Sequence, residues 1–312
     1  MFFKKSKVPP TQIMLEKWHA LGNDFLISYN LKEFSSQKIK QLSDRNFGIG
    51  CDQFITINQN RVRFFNSDGT ESGLCGNALK CIGLIVSRET KQNNFILEAN
   101  NKNIDIKIQE NNFVSGKIGK PFKFKEEGNP FLYLQFEEQK KKKDVNYDFF
   151  KLIQSNENHF YFVDLGNPHF VCILNLSEKD PLLQRKSFDT FLSSQSVGDV
   201  INFVGEALQR EYLKTSGVNV SFVIIESEKE VYVRTFERGV GETLSCGSGA
   251  SASVFCGIKL GIVSRETVKV FNRGSEKVEE IESSFSVISL DNEENIWLSG
   301  KGVKIGNIII SN

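Results

Sequence analysis

Histidine is scarce in this chain, and the spacings that hold metals are missing. The 312 residues include only three histidines, His19, His159 and His169, and neither a CxxC nor an HxxxH spacing occurs, so a zinc site is not expected. An excess of charge is also lacking. Lys and Arg number 39 against 38 Asp and Glu, a formal net charge of +1, which gives no overall field to gather nucleic acid or an anionic membrane. No apolar run approaches the roughly 18 residues of a spanning helix. Residues 1–10 carry lysines with no apolar core behind them, so neither an export signal nor an anchor is expected.

What is present suits two globular domains. Hydrophobic residues make up 39% and charged residues 25% of a chain too long for one average domain. Cys51, Cys75, Cys81, Cys172, Cys246 and Cys256 are spread too thinly for a secreted disulfide scaffold, which points to a reducing, cytoplasmic setting, while the balanced charge points to a small-molecule partner. The run Lys140–Lys143, with Glu137 and Glu138 beside it and no interleaved aromatics, reads as a solvated inserted loop.

The chain is organised around a duplication. Phe65 to Asn77 and Phe236 to Ser248 each end in Cys-Gly, and aligning the cysteines sets Arg63 opposite Arg234, Phe65 opposite Phe236 and Glu71 opposite Glu242. Each unit follows a β-rich run and precedes a small-residue apolar segment (78–87 and 249–260) of about three helical turns. Cys75 and Cys246 are therefore expected to start buried helices. There the unpaired N–H groups and the macrodipole stabilise a thiolate and can hold a carboxylate. Two such thiols on opposite sides of one carbon would invert its stereocentre. The other cysteines read as small core hydrophobes.

In chain order, Gly22-Asn23-Asp24 reads as a turn, 36–44 as a short helix and 54–58 as a strand, and 94–99, 103–109 and 113–118 as a β-meander. Gly119-Lys120-Pro121 marks a domain edge. Strands are expected at 159–165 and 170–174, around the turn Gly166-Asn167-Pro168-His169, and again opening at 217–222 and over 267–287 and 296–310; 180–210 mixes helix and loop without a clear pattern. His19 and His169 adjoin Gly/Asn turns, where each can line a site or merely orient a loop, and a hydrolase triad on either cysteine stays open. Glu237-Arg238 would clamp an amino acid's ammonium and carboxylate; Asn66-Ser67 stands opposite it, an asymmetry that suits an asymmetric substrate.

Six stretches carry a resemblance: 19–25 (HALGNDF), 66–69 (NSDG), Cys75-Gly76-Asn77, 166–169 (GNPH), 217–220 (GVNV) and 237–249, from Glu237-Arg238-Gly239 to Cys246-Gly247-Ser248-Gly249. In this order the chain resembles the diaminopimelate epimerase family. The resemblance implies an α/β (α+β) fold of two similar pseudo-twofold-related domains, each a mixed curled sheet around a central helix, with the site in the cleft between them. The expected domains are 1–120 with 299–312, carrying Cys75, and 121–298, carrying Cys246. It implies a cofactor-independent epimerase interconverting LL- and meso-2,6-diaminopimelate, with Cys75 and Cys246 as acid and base and no metal. Gly76-Asn77 and Gly247-Ser248 would hold the carboxylate at the reacting centre; Asn23, Gln53, Asn66, Asn167, Asn219, Glu237 and Arg238 would line the pocket, with His169 in support. Ala20, Ala78-Leu79-Lys80 and Lys301 depart from the family's usual Gly, Gly-x-Arg and Pro. A racemase of another amino acid on the same fold, a thiol redox pair and a purely amino-acid-binding module are the competing readings. A homodimer is an open option.

Overall fold

A computed structural model describes residues 12–29, 33–132, 147–176, 191–211, 217–278 and 284–311. The leader at 1–10 and the Lys-rich stretch lie outside the described residues. The chain forms two compact units, Met1–Ile118 with Trp297–Asn312, and Gly119–Ile296. Its elements run β1 (Gln12–Ala20), β2 (Asn23–Ser28), α1 (Ser36–Ser43), β3 (Gln53–Asn58), β4 (Arg61–Asn66), β5 (Glu71–Ser72), α2 (Gly76–Thr90), β6 (Asn94–Ala99), β7 (Lys102–Ile108) and β8 (Val114–Gly119). There follow β9 (Lys123–Glu127), α3 (Tyr147–Ile153), β10 (His159–Asp164), β11 (Pro168–Ile173), α4 (Gln195–Glu211), β12 (Asn219–Ser227), β13 (Glu230–Glu237), β14 (Gly241–Glu242), α5 (Gly247–Lys259), β15 (Val268–Asn272) and β16 (Ser286–Leu290). Finally β17 (Ile296–Gly300) and β18 (Val303–Ser311) return to the first unit. Among the described residues no helix is long and apolar enough to cross a membrane.

In the first unit β18 pairs antiparallel with β1, β1 with β2, β2 parallel with β3, β3 antiparallel with β4, and β4 parallel with β6, which continues into β7 and β8. Successive side chains of a strand face opposite ways. Phe25 and Ile27 of β2 accordingly pack with Ala78, Leu79, Ile82 and Ile85 of α2, while Leu26 packs with Ile39 and Leu42 of α1. Asn77 to Gly83 are all buried. A helix covered on every side belongs inside a sheet curled around it, and its small residues let the strands close: a Cβ on Gly83 would lie 2.5 Å from a Val114 methyl.

The second unit repeats this order. Here β9 pairs with β10, β10 with β11, β11 parallel with β12, β12 antiparallel with β13, β13 parallel with β15, and β15 with β16. The parallel pairs of both units are bridged by helices, as crossover geometry requires: β2–β3 by α1 and β4–β6 by α2 in the first, β11–β12 by α4 and β13–β15 by α5 in the second. Gly249 to Gly257 of α5 are buried in turn. The opposite sheet face carries a separate aromatic core, Phe131, Phe149, Phe160, Phe170, Phe191 and Phe222, under α3 and α4.

Two turns differ from the sequence reading. Ala20 pairs with Asn23, so the β1–β2 turn is Leu21-Gly22, both at positive φ (52° and 85°). That is the backbone a twist-matched two-residue hairpin needs, and it makes Asn23 and Asp24 strand residues. Likewise Pro168 pairs with Asp164, so Pro168 and His169 belong to β11 rather than to the turn.

Candidate active site

Cys75 is the N-cap of α2 and Cys246 the N-cap of α5, both in extended backbone. The amides of Gly76 and Asn77, and of Gly247 and Ser248, therefore open their helices without intrahelical carbonyl partners. The Cys246 sulfur already accepts from the Gly249 amide at 3.4 Å, the bond that places a sulfur over the positive end of the helix. The other thiols are core residues: Cys51, Cys81, Cys172 and Cys256 are buried, and burial pushes each of them up from the ordinary thiol range.

In the first unit the half-buried Cys75 thiol donates to Asn23 Oδ1 at 3.7 Å. Asn23 is held in turn, its Nδ2 donating to Asp52 Oδ2 at 2.8 Å. Asp52 pairs with Arg45, which also grips Asp24, and Lys17 reaches Asp24 at 2.6 Å. Burial works against the charge on Asp24, but Arg45 and Lys17 prevail and hold its carboxyl below the usual range. Gln53 stands opposite Asn66 in the β3–β4 ladder and donates to Ser72 Oγ at 3.1 Å. Its Oε1 is buried with no hydrogen-bond partner among the described residues, an acceptor ready for an ammonium. Asn66 donates to Thr70 Oγ1 at 3.1 Å. Asn77 is buried and accepts from Lys80 Nζ at 3.0 Å. His19 Nδ1 accepts from the Gly22 amide at 3.3 Å, so this histidine orients the turn, and burial lowers its pKa.

In the second unit Cys246, Ser248, His169, Asn167, Asn219 and the Arg238 amide form one hydrogen-bonded chain. Cys246 Sγ lies 3.4 Å from Ser248 Oγ, which receives Asn167 Nδ2 at 3.1 Å and sits 2.9 Å from His169 Nε2. Asn219 donates to Asn167 Oδ1 at 2.7 Å and accepts the Arg238 amide at 2.9 Å. Glu237 Oε1 accepts from Thr243 at 2.6 Å, while Arg238 is exposed. His169 has no solvent contact, and burial takes its pKa down to about 3. A neutral imidazole is thus locked behind Ser248.

Sequence reasoning missed what fastens these residues. Ser221 Oγ lies 3.4 Å from His169 Nδ1 and 3.2 Å from Thr235 Oγ1, and these three polar groups lie beneath Gly249. A Cβ on Gly249 would come within 2.8 Å of Thr235 Oγ1 and 3.0 Å of Ser221 Oγ. The available signal was polar residues at alternate positions of otherwise apolar strands. Asp52, Arg45 and Lys17 showed no signal beyond lying near the first turn.

Residues 160–293 match the family model described as diaminopimelate epimerase. A protein of Rickettsia felis named diaminopimelate epimerase is 31% identical over 274 residues, covering 85% of this chain and 89% of its own length. The fold is shared with a PhzF-family phenazine biosynthesis protein of Bacillus anthracis (TM-score 0.61, 14% identity, 96% of this chain and 99% of that one). It is shared also with a predicted epimerase of Pseudomonas aeruginosa (TM-score 0.64, 11% identity, the same coverage). With two N-cap thiols on a repeated curled-sheet unit and this likeness over most of its length, the chain belongs to the diaminopimelate epimerase family.

Proposed function

We propose that this chain interconverts LL- and meso-2,6-diaminopimelate, in the formation of lysine and peptidoglycan precursors, by two-base proton transfer between Cys75 and Cys246 without pyridoxal phosphate or another cofactor. The observation that carries the reading is the repeated N-cap thiol. One thiolate removes the α-proton while the other thiol protonates the opposite face, and inversion follows. The α-proton of an amino acid is a very weak acid, so charge developing on the substrate carboxylate must be met as it forms. The leading amides of α2 and α5 would supply that stabilisation.

The remaining residues suit the distal amino-acid end of the substrate. Gln53 Oε1, without a partner among the described residues, would accept from an ammonium, and the exposed Arg238 guanidinium suits a carboxylate. Asn23, Asn66, Asn167, Asn219 and Glu237 complete the proposed recognition set, and neutral His169 positions Ser248. We assign residues 1–120 with 299–312 to the domain supplying Cys75 and 121–298 to the domain supplying Cys246. The free-thiol state this chemistry requires fits a cytoplasmic setting.

The test is chiral chromatography of the reduced protein's products from a panel of amino acids. LL-diaminopimelate should give the meso isomer, and proline, hydroxyproline and glutamate should remain unchanged. Inversion of one of the others, with diaminopimelate untouched, would move the substrate assignment.

A further inference from the structure

Among the described residues Lys80 is the one lysine in the set of largest fully buried side chains, 1% exposed, on a helix whose other inward residues, Asn77 apart, are small or apolar. A buried ammonium is costly unless it is hydrogen-bonded and charge-compensated. Its Nζ donates to Asn77 Oδ1 at 3.0 Å, one helical turn back toward Cys75. Its stem lies against the backbone at Gly300, where a Cβ would approach Cε to 2.9 Å and Nζ to 3.0 Å. The bond to Asn77 fixes the orientation of that carboxamide, with Oδ1 turned to the Lys80 ammonium.

We propose that Lys80 is a positioning residue for the Cys75 half of the reaction, an inference that rests on the two-thiol reading: its ammonium orients the Asn77 carboxamide and supplies a buried positive charge that favours the Cys75 thiolate. Among the described residues, the ionisable groups whose charges bear on it are the thiols of Cys81, on α2, and of Cys75, the N-cap of α2. Burial lowers the Lys80 pKa to about 8, with those thiols opposing the shift, so the ammonium is still mostly charged at neutral pH. The pair is reciprocal: whatever the ammonium does for the thiolate, the thiolate does for the ammonium.

The test is the pH dependence of Cys75 alkylation by iodoacetamide, followed by peptide mass spectrometry in the parent, Lys80→Gln and Lys80→Arg proteins. Lys80→Gln keeps a donor for Asn77 but removes the charge. It should raise the Cys75 pKa by about one unit and slow alkylation at neutral pH about tenfold, with Cys246 unchanged as the internal control. Lys80→Arg keeps the charge and should restore the parent rate. A Lys80→Gln protein whose Cys75 titrates as in the parent overturns the proposal. Should Lys80→Gln not fold, nitrogen NMR of the parent's lysine ammonium groups decides the matter. The Lys80 resonance, assigned by its absence from Lys80→Arg, should titrate at lower pH once Cys75 is alkylated; a resonance that does not move overturns the proposal. Neither readout uses a substrate, so failure of the diaminopimelate assignment would show separately in the product assay.

Discussion

Arg234 and Glu242 are joined by a bidentate ion pair, Nη2 to Oε2 at 2.8 Å, with side chains 0% and 1% exposed. Their equivalents in the duplication, Arg63 and Glu71, make the same fork at 3.0 Å with both side chains about half exposed (46% and 48%). In each unit the glutamate pairs in the ladder with the equivalent phenylalanine, Glu71 with Phe65 and Glu242 with Phe236. One ancestral contact now sits in two dielectric environments, and Arg273 adds a further charge to the buried copy at 3.0 Å. Removing one partner of a buried pair strands the other, whereas an exposed pair contributes little. Glu242→Gln should lower unfolding stability by about 3–5 kcal/mol and Glu71→Gln by less than about 1 kcal/mol, as measured by urea denaturation.

Replacing Gly249 tests how closely α5 must approach the sheet. Gly249→Ala would force its new methyl group against Thr235, Ser221 and His169, at about 1–3 kcal/mol in stability. It should also lower kcat by displacing Ser248. Gly73→Ala, with nothing within 4 Å of the new atom, should leave the melting temperature unchanged, as thermal denaturation of the two variants would show.

His169 makes stability depend on pH. The unfolded chain binds a proton at this residue as pH falls through about 6.5, while the native imidazole resists protonation down to about 3. Between those values the unfolded state holds more protons, so His169 makes stability fall as pH drops, by up to about 1.4 kcal/mol per unit. Urea titrations from pH 7 to 4 should show a shallower slope for His169→Gln than for the parent.

If the thiols are the acid and base, loss of either must be severe. Cys75→Ser and Cys246→Ser should each reduce kcat about 10²–10⁴-fold, with circular dichroism unchanged. Serine at Cys51, Cys172 or Cys256, all buried in the core, should cost stability and leave kcat within a few-fold.

Much of this was legible because the duplication fixes spacing. The order Arg, Phe, Glu, Cys-Gly placed two helix starts, and alternating runs placed β6 to β8. The α4 helix was not legible: Gly198 and Gly205 interrupt its pattern, and the reason for them is tertiary, since a Cβ at Gly205 would lie 2.3 Å from the Phe236 ring and one at Gly198 2.6 Å from Glu242. The hairpin turn was displaced because Leu21 adopts a positive φ that its side chain does not advertise. Ser221, Thr235 and His169 meet only through the register of β11, β12 and β13. Burial of Lys80 is likewise a property of the packing, because lysine by itself reads as surface.

Two thiols acting from opposite faces would leave their signature in the placement of isotope. The reduced protein is mixed with LL-diaminopimelate in deuterated water, and at low conversion proton NMR and mass spectrometry are run on both the product and the unreacted pool. Two bases predict meso product fully deuterated at the inverted carbon and recovered LL substrate still protonated, because the thiol that delivers is not the one that accepted. Protium retained in the product, or deuterium appearing equally in the recovered substrate, would rule out two opposed thiols and point to a single base.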